Sequence, residues 1–135
     1  MRFISMVKFR ETNAAPPPKE FLEAMGALTR EAAEAGCVMT AGEGLLPTAK
    51  AARVRLDGGK VSIMDGPFTE AKEVIGGFAI FEAQSMDEMV KWARRMMDLH
   101  KAYLPGWQGE CEIRQIGGPG EKLCDQVAEE QATAV

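Results

Sequence analysis

Two amphipathic helical stretches, each set between strand-like runs and separated by one tight hairpin, constrain this 135-residue chain more than any other feature. The first stretch opens at Pro18 and carries Phe21, Met25, Leu28, Ala32 and Ala35 as a single apolar stripe at helical spacing. Gly36 follows where a left-handed cap is expected. The second opens at Ser85, with Glu88 in capping-box position, and its stripe is Met89, Ala93, Met96 and His100. Strand-like runs lie at 2–9, 37–46, 52–56, 60–65, 76–83 and 108–116. Residues 2–9 are apolar on both parities, which suits a central strand covered on both faces. Residues 52–56 alternate, with Val54 and Leu56 opposite Arg53 and Arg55, and Asp57-Gly58-Gly59 turns the chain into 60–65.

The order is therefore β-α-β, a β-hairpin, then β-α-β. Helices segregated to one face of an antiparallel sheet give an α+β domain of the ferredoxin-like kind. Two helices cover only one face of such a sheet. Met39, Glu43, Glu112 and Arg114 are expected on the other, a mixed surface suited to a homodimer joined face to face. The domain is expected to occupy residues 1–116. Residues 117–135 start with Gly and Pro, turn Ala- and Glu-rich, and read as a flexible tail or short helix.

Composition removes several classes of function. A net charge of −4, from 16 basic and 20 acidic residues, supplies no basic field for phosphates and argues against nucleic acid as a partner. Cys37, Cys111 and Cys124 are odd in number and lack CxxC spacing, so reduced thiols and a cytoplasmic setting are expected, with no metal framework. A single histidine rules out a multi-histidine metal centre. The opening MRFISMVKFR alternates and carries charge, unlike a signal peptide or a membrane span. Motifs of the P-loop, GxGxxG, HExxH and GxSxG types do not occur, and no cofactor is expected.

GEGL at 42–45 with Pro47, VR at 54–55, DGPFTEAKE at 65–73, GGF at 76–78 and WQGECEIR at 107–114 together resemble the DGPF-type branch of the YCII-related proteins. The resemblance covers roughly residues 1 to 116. It implies a dimeric ferredoxin-like fold, the α+β barrel, and members often look like companions of extracytoplasmic-function sigma factors. The wider group includes enzymes acting on small aromatic compounds through a His–Asp acid–base pair. Here the first helix begins PPPKEFLEAM without a histidine, and His100 is the sequence's only one.

Asp65 is the leading candidate for chemistry. Strand parity puts it on the side of Val61 and Ile63, so its carboxylate is expected to face packed surface, lose hydration, and find donors or take up a proton. The structural alternative is a turn lock: Asp65 accepting from the backbone N–H of Phe68 or Thr69, since Pro67 has none to give. Glu43, between two glycines, either frames a pocket that a ligand can approach closely or marks a bulge. His100 reads as a second acid–base group, or as a cap or packed side chain. Phe68, Tyr103 and Trp107 offer an aromatic wall, and Pro67 a rigid edge, although core packing explains aromatics as well. Two functions follow as expectations. One is a cleft near Asp65 for a small polar or aromatic molecule, with proton transfer by Asp65 with Glu43 or His100. The other is a non-catalytic regulatory dimer working beside a sigma factor.

Overall fold

The computed structural model describes residues 1–12 and 15–117. The expected tail therefore lies outside the described residues apart from Gly117, as does Cys124. The elements run β1 (Arg2–Phe9), α1 (Lys19–Glu34), β2 (Val38–Gly44), a 3-10 turn (Thr48–Lys50), β3 (Ala52–Asp57), β4 (Lys60–Asp65), β5 (Val74–Glu82), α2 (Met86–Tyr103) and β6 (Gly109–Gln115). Four strands form one antiparallel sheet in the order β2-β5-β1-β6, with β1 central as its two-sided apolar pattern requires. With both helices on one face, the arrangement is α+β and compatible with the ferredoxin-like plan.

Local chemistry accounts for the element ends. Gly36 has φ of 98°, and the N–H groups of Gly36 and Cys37 donate to the carbonyls of Ala33 and Ala32, closing α1 with the double bond of a Schellman turn. Ser85 Oγ accepts from the Glu88 N–H at 3.2 Å and starts α2. Gly58 and Gly59, both at positive φ, make the two-residue turn between β3 and β4.

Odd-numbered residues of β1 face the helices. Phe3 is fully buried there and Ser5 nearly so, in a core with Leu28, Ala32, Cys37, Met89 and Trp92. Even-numbered Ile4, Met6 and Lys8 lie on the open face, where Met6 stands between Phe78 and Glu112 in register. Glu43 lies beside Phe78, and Arg114 beside Ile4, on that same face as expected. Met39 does not. A bulge between Met39 and Ala41 inserts Thr40, so Met39 pairs with Phe81 on the helix side while Glu43 stays on the open side. One extra residue reverses the parity on which the expectation for Met39 rested.

The hairpin stands apart from that sheet. Rather than extending the sheet, β3 and β4 pair only with each other as a separate two-stranded ribbon. In register Val54 faces Ile63, Leu56 faces Val61 and Ala52 faces Asp65, so one side of the ribbon is apolar. Its four large aliphatic residues are between 65% and 75% exposed. The parity inferred for Asp65 is right and its surroundings are not: the face exists, but the described residues of this chain leave it uncovered.

Candidate functional site

Between the helix-facing side of the sheet and the two helices lies a cavity of about 310 Å³. It exists because side chains are missing where β2 meets β5. Gly44 pairs with Gly77 and Gly42 with Ala79, on the side that elsewhere carries Phe81 and Phe3. Gly76 is the extra residue of a bulge opposite β1, and a Cβ there would overlap the Phe9 ring, which closes over the glycine. A Cβ at Gly44, by contrast, would meet nothing within 4 Å. The lining residues that are exposed, Met39, Glu43 and Gly44, all belong to edge strand β2, so the cavity opens along that edge.

The wall is apolar and rich in sulfur and rings: Met25, Met39, Met89 and Met96 line it with Phe9, Phe81 and Trp92. Among the described residues Glu43 is its only charged lining residue, and the register sends that side chain to the open face, where it is exposed. Two thiols reach the lining. Burial pushes the Cys37 thiol up, and Cys37 lies 3.7 Å from the Met89 sulfur. Burial likewise raises Cys111, against a smaller lowering by Ser5. Both thiols are therefore neutral at neutral pH, and the described residues direct no formal charge into the cavity. Thr29 directs its hydroxyl to the Met25 carbonyl of its own helix. The Ser5 hydroxyl and the Cys111 thiol remain as the polar groups of the sheet floor.

The residues singled out from the sequence are not brought together by one chain. Asp65 ends β4, exposed, with no hydrogen-bond or ion-pair partner among the described residues. The turn lock is built by other groups. The Phe68 N–H donates to Thr48 Oγ1 at 3.2 Å, and the Gly66 N–H donates to the Ala51 carbonyl at 2.8 Å. Gly66 is needed because a Cβ would overlap the Thr48 carbonyl. Glu11 clamps Thr48, accepting from its hydroxyl at 2.6 Å and its N–H at 2.9 Å, bonds that hold the Glu11 carboxyl below its usual range. Phe68 is buried beneath the Arg53 guanidinium, 3.7 Å from the ring centroid, and Arg53 pairs with Glu70. Pro67 lies exposed beside it. DGPFTE is thus a small structural knot at the foot of the ribbon, in agreement with its turn reading but with Thr48 in place of Asp65.

His100 is buried at the end of α2. Its Nδ1–H donates to the Met96 carbonyl at 2.8 Å, and its ring sits 4.9 Å from Phe21 and 4.4 Å from Trp107. It behaves as a packed side chain that also satisfies its own helix. His100 and Trp107 border a second, shallower hollow of about 330 Å³ with Lys101 and Gly109. Tyr103 joins this aromatic group through Phe21, whereas Phe68 is apart from it in the ribbon knot. Asp65, Glu43 and His100 therefore stand in three places: the ribbon, the rim of the first cavity and the second hollow. Trp92, Met25, Ser5 and Cys111 were not singled out as site residues from the sequence, since apolar stripes and strand residues carry no mark of a void between them.

Among the described residues no group of three or more His, Cys, Asp or Glu side chains could hold a metal ion. No described helix is long and apolar enough to cross a membrane. Comparison with known proteins adds two findings. The family model described as the YCII-related domain matches residues 1–101. An uncharacterised protein of Rhizobium meliloti (strain 1021) is 33% identical over 99 residues, covering 72% of this chain and 75% of the relative.

Proposed function

The chain belongs to the YCII-related domain family, and from that premise we propose that it is a homodimeric binding protein for a small molecule, held between sheet and helices. The supporting observation is the cavity of about 310 Å³ beneath a glycine floor. Its volume is at the lower end of the roughly 300–1,000 Å³ range of small-molecule pockets, and about twice that of an apolar cavity that takes up benzene. Left empty, it leaves its lining side chains without packing partners on the cavity side. A ligand recovers that packing.

The dimer rests on the open sheet face, where Ile4, Met6, Phe78 and Ile80 are half-buried between Lys8, Glu112 and Arg114. Lys8 and Glu112 already pair at 2.8 Å on that surface. Proton transfer by Asp65 with Glu43 or His100 would require a second copy to bring these groups together, because one chain holds them apart.

Binding is tested by calorimetry and thermal unfolding with a set of small apolar molecules. At a hundredfold excess over Kd, a ligand specific for the folded state adds about 2.7 kcal/mol and raises Tm by several degrees. No shift with any of them overturns the reading. Light scattering at micromolar concentration tests the dimer, and a monomer there would sink it.

A further inference from the structure

Resting on that reading, we infer that the cavity takes an uncharged ring compound bearing one hydrogen-bonding group, which meets Ser5 on the floor, and that Gly44 at the mouth sets the room available to it. Among the described residues the lining directs no charge inward, so an ionised ligand would lose its hydration without gaining a partner. Four thioethers and three aromatic rings make a polarisable wall, and sulfur against a ring edge is a favourable contact. Flat rings therefore suit it better than branched aliphatic groups.

The sheet floor carries one polar patch, and on the helix side of the lining the Trp92 Nε1–H is buried without a partner among the described residues. Ser5 is more than nine-tenths buried, lies on the helix-facing side of β1, and borders the cavity beside Cys111. A hydroxyl has one hydrogen to donate and two lone pairs to accept with. It therefore has capacity for one group of a ligand, whereas Thr29 is already occupied by its own helix. At the other end Gly44 pairs with Gly77, and the space where its Cβ would stand is open. A larger residue at 44 would grow into the mouth without striking backbone.

Titration calorimetry at pH 7 with 2-naphthol, 2-naphthoate and naphthalene tests each element. Naphthol is expected to bind, naphthoate roughly 100-fold more weakly for its unpaired charge, and naphthalene about 5-fold more weakly for the missing hydrogen bond. Ser5→Ala should erase the preference for naphthol over naphthalene while leaving naphthalene binding unchanged. Gly44→Leu should keep its melting temperature and lose binding of both. If Gly44→Leu fails to fold, Met39→Trp on the same rim replaces it, with the same expected loss. Binding of none of the three probes by the wild type overturns the binding reading itself. Equal affinity for naphthol and naphthoate leaves that reading standing and overturns the uncharged-ligand inference. Retained preference in Ser5→Ala removes Ser5 from the site, and unchanged binding in the rim variants moves the site elsewhere.

Discussion

The sheet–helix sandwich and the β3–β4 ribbon are built from the same alternation of apolar and polar residues but end in opposite surroundings. In the sandwich, Phe3 is fully buried and Ser5 nearly so, beneath the helices. In the ribbon, Val54, Leu56, Val61 and Ile63 alternate just as regularly and remain in solvent. A two-stranded ribbon is marginal by itself in water. What secures this one is the knot at its foot, where Phe68, Arg53, Glu70, Thr48 and Glu11 are interlocked. Alternation says which residues share a face. What covers that face is decided by elements far away in the chain, or by another molecule.

The contrast can be broken most forcefully at Phe3. Phe3→Ala should cost about 3–5 kcal/mol in chemical denaturation, as a full aromatic void in a close-packed region does. A loss below 1 kcal/mol would mean that the sandwich is as loosely packed as the ribbon. Phe68→Ala comes next, with its effect confined to one region. Hydrogen exchange should quicken through residues 52–65 while β1 and β5 keep their protection. Uniform quickening would show that the knot supports the whole molecule.

A smaller effect is expected with pH. Burial raises the Cys37 thiol above its ordinary value of 9.0. Between the unfolded and the folded value the folded chain holds one proton more, so this contribution is complete below about pH 9 and lost as pH rises through the folded value. Cys37→Ala should flatten that alkaline decline in urea titrations, and an unchanged slope would assign it to other groups. Smallest of all, Ile63→Ser should alter the stability of the isolated chain by no more than about 0.5 kcal/mol, as exposed positions do. If it also weakens self-association in light scattering, the ribbon face is covered by a second copy.

Much of the fold was legible because local rules agreed with the final arrangement. The Gly36 cap, the Ser85 start and the Gly58-Gly59 turn all depend on a few neighbouring residues, and each formed where its residues stand. Three features were hidden for a physical reason. The bulge at Thr40 has no mark of its own in VMTAGEG, and it turned Met39 from the open face to the core. Separation of the ribbon from the sheet depends on which strands β5 prefers, a matter of long-range pairing. The cavity is made by what glycines lack. GEG drew attention for its carboxylate and for close approach, and GGF for the family resemblance, while their larger effect is the room left beside Met25, Phe81 and Trp92.

The central place of β1 also bears on how the molecule is made. Its hydrogen-bonding partners are β5, beginning at Val74, and β6, ending at Gln115. A chain emerging from the ribosome must therefore carry its first strand unpaired while most of the remaining sequence is synthesised. During that interval the ribbon, whose two strands are neighbours in sequence, can already form, since a hairpin closes in about 1–10 μs and an amino acid is added only about 5–20 times a second. Among the described strands, the most exposed pair can thus form early, and the most buried strand is among the last to be secured.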